Sequence, residues 1–340
     1  MSNLNYKYYF FLSAFLVVLL FMLDVLIGSV AIPWNVTMDV FTCRPVENVT
    51  WKTILIDFRL PKAITALFAG VALSVSGLQM QTLFRNPLAG PYVLGVTSGA
   101  SLGVALVLLV SSYSGYALLS GITGSIGVVG AAFAGGMLVL LLILWVSTKI
   151  QNNTTILILG LMFGQFTNAI VGVLQYFSNA QDLKGFIIWS MGSFGNVVWD
   201  EVAVLVPIVT IALIIAFVLS KQLNVLLLGE SYAKSMGVNV AASRLKIIVS
   251  TGLLAASVTA FCGPIAFLGL AIPHLVRSAF NTADHRILTP ATALWGAMFA
   301  LLCDIVAQLP GTDETLPINA VTSIIGAPVV IWIIIKNRKY

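Results

Sequence analysis

Residues able to do acid–base, nucleophilic or metal chemistry are few in this chain and stand far apart. The only histidines, His274 and His285, are eleven positions apart with no neighbouring ligand pattern, and no HExxH string supplies a zinc pair with its general base. Cys43, Cys262 and Cys303 show neither CxxC nor Cys/His spacing, so neither a metal site nor a disulfide framework is expected. No GxxxxGK(S/T) string occurs, and no Gly-rich loop follows a strand, so the backbone cradle for nucleotide phosphates is missing. No catalytic residue, metal or cofactor is expected, and ATP, if it drives this protein, must bind to another chain.

Asp24 and Asp304 are the two ionisable residues well inside apolar runs. A charge at mid-helix in a membrane costs about 2.5–3.5 kcal/mol and persists only for a reason. Both lie about two-thirds along their runs, where hydrogen bonding to neighbours or headgroup water lowers that cost. A gradient-driven transporter, the main rival class, would show a fuller network of acids and bases at mid-membrane.

The elements that must hold these residues are membrane helices. Hydrophobic residues make up 59% of the 340, charged residues only 9%, and mean hydropathy is +1.02. A soluble chain averages about 25% charged residues. Apolar runs fall near 9–31, 60–83, 93–111, 121–147, 154–177, 201–220, 244–262, 264–280, 288–309 and 316–335. A span needs about 20 mostly apolar residues, so the chain is expected to be all-α, one polytopic domain of about ten transmembrane helices over 1–340. The first run is too long for a signal-peptide core and is expected to be retained. The seventh and eighth runs are separated only by Gly263-Pro264, yet basic residues flank the pair on both sides, which implies an even number of crossings.

With both termini on the cytoplasmic side, twelve of the 17 Lys and Arg fall inside, and Arg44, Lys52, Arg59, Lys62 and Lys184 fall outside. Cations are retained on the cytoplasmic side during insertion, so this bias supports the orientation. The net charge of +5 comes from basic residues scattered singly between apolar runs, which argues for topology and against nucleic acid. Small residues at four-residue spacing, Gly95, Gly99 and Gly103, then Gly160 and Gly164, let helix backbones approach closely and mark packing seams.

Two stretches break the helical rhythm at the inner face: Arg85-Asn86-Pro87-Leu88-Ala89-Gly90-Pro91, and the polar insert from Gly229 to Gly237. Together with Arg59-Leu60-Pro61-Lys62, Gly77-Leu78-Gln79-Met80-Gln81, Trp189-Ser190-Met191-Gly192-Ser193 and the long motif from Gly263 to Arg277, they resemble the permease family of iron-siderophore, haem and cobalamin ABC importers. Asp284-His285-Arg286, Asp304, Glu314 and Gly326-Ala327-Pro328 continue the resemblance, so ordered motifs cover roughly residues 55 to 335.

The resemblance implies a homodimeric permease with its substrate path at the interface, two separate ATP-binding subunits inside, and an extracytoplasmic substrate-binding protein outside. It implies that Arg59 and Lys62 meet acidic residues of the binding protein; anchoring to lipid phosphate is the plainer alternative. It implies an ATPase-coupling segment at 227–240, with Gly229, Glu230, Ala233, Lys234 and Gly237, and a cytoplasmic gate at Asn86, Leu88, Asn153 and Thr154. His274 is expected to pack or hydrogen-bond at a helix end. Where the family often carries a third outer basic residue after Asp304, this chain has Gln308. A path so poor in charge suits a bulky chelate better than a bare cation, which needs oxygen or sulfur ligands. Iron chelates are the broadest such group, with cobalamin as the alternative cargo.

Overall fold

The computed structural model describes residues 3–28, 30, 32–42, 44, 48–110, 125–150, 152–308 and 315–337. Cys43 and Glu314, which entered the reading above, lie outside the described residues.

Among the described residues every regular element is helical. Helix α1 (Asn3–Leu26) is followed by two short helices, α2 (Trp34–Phe41) and α3 (Val49–Thr53). A π-helical turn (Ile54–Arg59) then carries α3 into α4 (Leu60–Leu83), giving one continuous helix of 35 residues. Next come α5 (Val96–Val110), α6 (Ser125–Lys149), α7 (Asn153–Phe177) and α8 (Ala180–Ser190). Helix α9 (Trp199–Val218) leads into α10 (Ser220–Leu227) and α11 (Glu230–Ser235). The chain ends with α12 (Val240–Cys262), α13 (Leu268–Phe280), α14 (His285–Ala307) and α15 (Ile318–Asn337).

Each of the ten apolar runs overlaps a helix, and among the described residues seven helices are long and apolar enough to cross a membrane. The apolar parts of α5, α13 and α15 are shorter. Three boundaries differ from expectation. Helix α1 stops at Leu26 instead of continuing to 31, because Arg59 takes its last carbonyls. The second span begins eleven residues before 60, at Val49; Pro61 cannot donate to the Asp57 carbonyl, and the π turn absorbs that break. The 244–280 stretch is broken by more than a Gly-Pro kink. Gly263 (φ +73°) and Phe267 (φ +66°) bound an irregular segment, and α13 has only 13 residues, about 20 Å. Its backbone is satisfied by protein: the Ser193 N–H donates to the Cys262 carbonyl at 2.8 Å, and the Ala266 N–H to Asn319 Oδ1 at 3.0 Å. Irregular backbone at membrane depth persists where neighbouring protein replaces water in this way.

Helix α4 is the hub, with 18 of its 24 residues buried against α1, α9, α12, α13 and α14. Its small residues allow this: a Cβ added to Gly70 would sit 2.2 Å from the Gly296 carbonyl oxygen, and one on Gly77 would sit 1.7 Å from that of Gly269. The expected seams exist as well. Gly99 and Gly103 of α5 lie against Gly135 and Ala131 of α6, and Gly160 of α7 lies against the Val93 carbonyl. With little hydrophobic drive between helices in lipid, such backbone contacts hold the bundle.

Candidate functional site

Chemistry-bearing side chains gather at the two ends of α4. At its N-terminal end, Lys62 Nζ lies 2.9 Å from Asp304 Oδ2 and 3.7 Å from Asp24 Oδ1, with its side chain 13% exposed. Gln308 Nε2 donates to Asp24 Oδ1 at 2.8 Å and to Asp304 Oδ2 at 3.3 Å. One ammonium and one amide therefore hold two acids from α1 and α14 against α4.

Arg59 is 5% exposed and turned inward. Its Nη1 donates to the Val25 and Leu26 carbonyls at 3.1 and 2.6 Å, and its Nη2 to the Val30 carbonyl. The last carbonyls of a helix lack partners and carry the negative end of its dipole, so a guanidinium there is doubly favourable. Arg59 and Lys62 thus stand together as expected, but in this chain both face inward. The exposed residues beside them include Lys52, Asp57 and Phe58, the last of these 62% exposed. A cavity of about 480 Å³ opens over the cluster, bordered by Phe58, Arg59, Lys62, Asp304 and Gln308.

At the C-terminal end of α4, the segments expected to form a gate and a coupling element are joined. Asn153 Nδ2, at the start of α7, donates to the Leu83 carbonyl at 2.9 Å and to Glu230 Oε1 at 2.7 Å. The same Glu230 oxygen pairs with Arg244 Nη2 of α12 at 2.9 Å. The carboxylate at the head of α11 therefore ties α7 to α12, and the Asn153 amide extends the link to the end of α4. Arg85 (φ +48°) donates from Nη2 to the Leu226 and Leu227 carbonyls at 3.0 and 3.4 Å, fixing α10 beneath the turn after α4.

Asn86 closes that turn, its Oδ1 accepting from the Leu88 N–H at 2.9 Å, and leaves Leu88 45% exposed. Thr154 is exposed, and its N–H is capped by Asn152 Oδ1 at 2.8 Å. His274 stands in the middle of α13, not at a helix end, and its Nε2 bonds the Pro87 carbonyl in the turn after α4 at 2.7 Å.

Gly229 (φ +118°) and Gly237 (φ +80°) bracket α11 in backbone regions that side chains other than glycine's rarely adopt. Lys234 is exposed, but Ala233 is fully buried under α11. The outward face instead presents Leu227, Leu228, Tyr232 and Met236, which are 41%, 63%, 53% and 56% exposed. Residue-by-residue transfer of roles marks Ala233 because it lies in the segment; a six-residue helix buries one face, and Ala233 is on it.

Several participants carried no sequence signal of their own. Asn224 accepts at Oδ1 from the His285 N–H at 2.7 Å and donates from Nδ2 to Asp284 at 2.5 Å, and His285 reaches Thr82 Oγ1 at 2.8 Å. That chain ties α10 to α14 and α4. Arg244 read only as a flanking charge. Among the described residues no group of three or more His, Cys, Asp and Glu could hold a metal ion.

A family model described as the FecCD transport family matches residues 16–336. The chain belongs to this family, the permeases of iron-siderophore, haem and cobalamin ABC importers. It is 37% identical over 287 residues to the hemin transport system permease protein HmuU of Yersinia pestis, covering 84% of each chain. It is 36% identical over 307 residues to the vitamin B12 import system permease protein BtuC of Citrobacter koseri, covering 90% of this chain and 88% of that one. Among solved structures, an inward-facing metal-chelate type ABC transporter superposes with a TM-score of 0.83 at 30% identity, over 96% of this chain and 98% of that one. The chain is thus an all-helical, polytopic member of a transport-permease family.

Proposed function

We propose that the chain is the membrane-spanning subunit of an ATP-driven importer of an iron chelate, a ferric siderophore or haem, in the cytoplasmic membrane of a bacterium. It crosses ten times with both termini inside, pairs with a second copy of itself, and works between two ATP-binding subunits and an extracytoplasmic binding protein. The observation that carries this reading is the inner segment α10–α11. It offers an apolar outward face, while Glu230 bonds its root to α7 and α12, and Asn153 carries the link on to α4. A rigid push on α11 by a closing ATPase dimer then reaches α4, α7 and α12 together. Asn86, Leu88, Asn153 and Thr154 border the inner mouth that this push opens.

On the outer side the binding protein docks on the rim above α4. Arg59 and Lys62 shape that rim by clamping α1 and α14, and Lys52 and Phe58 stand where a partner would touch. Similarity to HmuU favours haem among the chelates. A second reading, cobalamin, is favoured by a similarity to BtuC of nearly the same strength over more of the chain.

In cells lacking the chain, uptake of labelled ferric siderophore, haemin and cyanocobalamin should separate these readings. Loss confined to an iron chelate, restored by the gene, is the expected result. Loss confined to cyanocobalamin moves the assignment to the second reading, and undiminished uptake of all three overturns both.

A further inference from the structure

Where α9 gives way to α10, close to the first turn of α14, lies a second, open cavity of about 570 Å³, lined by residues other than the exposed Leu227, Leu228, Tyr232 and Met236 offered to the ATP-binding subunits. It is lined by Phe217, Val218, Ser220, Lys221, Gln222 and Arg286. Lys221 and Arg286 are both exposed, come from different helices and form no ion pair among the described residues. The nearby carboxylate, Asp284, is engaged by Asn224 Nδ2 at 2.5 Å and by the Arg286 backbone N–H at 2.9 Å. Gln222 is neutral, and its amide is set to donate to the Val218 and Leu219 carbonyls at 3.1 and 3.3 Å.

Ser220 supplies an independent observation. It is only 4% exposed, lines the cavity, and its buried hydroxyl has no hydrogen-bond partner. An orphaned buried hydroxyl costs free energy unless something completes it. Two cations and one unused donor around one opening form a receptor for a phosphate-type anion.

The walls say which source. Phe217 and Val218 are 42% and 66% exposed, and Val218 continues a stripe through Ile214 and Ile211, 57% and 58% exposed, along one face of α9. That face is apolar over a helix long enough to cross a membrane. Its only compatible solvent is acyl chain, and it runs directly into the basic cavity. We infer that this cavity is a binding site for an anionic phospholipid, its headgroup phosphate held by Lys221, Arg286 and the Ser220 hydroxyl and its acyl chains lying along α9. A basic pocket at the membrane boundary of helices is the setting in which anionic headgroups are held.

The test is native mass spectrometry of the full-length chain, delipidated in neutral detergent and titrated with phosphatidylglycerol or phosphatidylcholine. Phosphatidylglycerol should bind at least about tenfold tighter, and Lys221→Gln or Arg286→Gln should each weaken it about fivefold without changing phosphatidylcholine binding. Ser220→Ala should weaken it about tenfold, the loss of a hydrogen bond to a charged acceptor. Lys149→Gln, at the end of α6, should leave it unchanged. Thermal melting in phosphatidylcholine alone checks folding: all four variants should melt with the parent there, and the two charge variants should lose the rise that phosphatidylglycerol gives the parent.

Equal binding of the two lipids, wild-type affinity in both charge variants, or an equal loss in Lys149→Gln would overturn the inference. Displacement of phosphatidylglycerol by equimolar inorganic phosphate would mark a free-phosphate site instead and overturn the lipid assignment.

Discussion

Lys62 sits between two carboxylates that would otherwise face each other out of water, and Asp24 Oδ2 already lacks a hydrogen-bond partner. Removing one member of a buried ionic cluster costs more than the pair contributes, because the remaining charge is left desolvated. Lys62→Met should therefore destabilise the protein by about 3–5 kcal/mol, and adding Asp304→Asn should recover part of that loss. Thermal unfolding in detergent checks both; an unchanged midpoint for Lys62→Met would mean that the cluster does not hold α1 and α14 to α4. The same geometry explains Gln308. Read from sequence it is a missing docking cation. In the fold its amide donates to both acids, at a position 6% exposed where a second ammonium beside Lys62 would add like-charge repulsion.

Among the elements, the α10–α11 segment shows where sequence reading stops. Gly229 and Gly237 marked its ends, and both adopt the positive φ that only glycine takes readily. Six residues are too few for a periodic pattern to say which face is buried: the segment containing Ala233 is legible in the sequence, but that Ala233 faces in and Tyr232 and Met236 face out is not. Tyr232→Glu and Met236→Glu should lower recovery of the ATP-binding subunits in co-purification, by about 30-fold if Tyr232 is an interface hot spot, with the melting of the chain unchanged. Ala233→Arg should instead unfold the segment, because its Cβ is enclosed. Tyr232→Glu binding the subunits like the parent would refute the contact face. Glu230 was named from the segment, but its bonds to Asn153 and Arg244 join positions 77 and 14 residues away in the chain, and only the fold brings them together.

For the molecule as a whole, ten apolar runs predicted ten helices, because hydrocarbon thickness sets both run length and composition. Short or polar elements escaped: α8 carries Asp182 and Lys184 in eleven residues, and the helical turns before Arg59 are too mixed to stand out. The glycine seams were legible since only glycine admits backbone at those distances. The outer and inner clusters were legible as positions but not as partners, since each draws on residues more than 70 positions apart.

The account's central claim is that a chain without a nucleotide site moves its cargo on ATP hydrolysed by separate subunits that grip α10–α11. Reconstitution of the permease into liposomes, with and without its ATP-binding subunits, measures this directly as uptake of iron chelate delivered by the binding protein. The account predicts uptake that requires those subunits and ATP, is blocked by vanadate, and survives a protonophore. Uptake by the permease alone, driven by an imposed proton or sodium gradient and indifferent to vanadate, would contradict it.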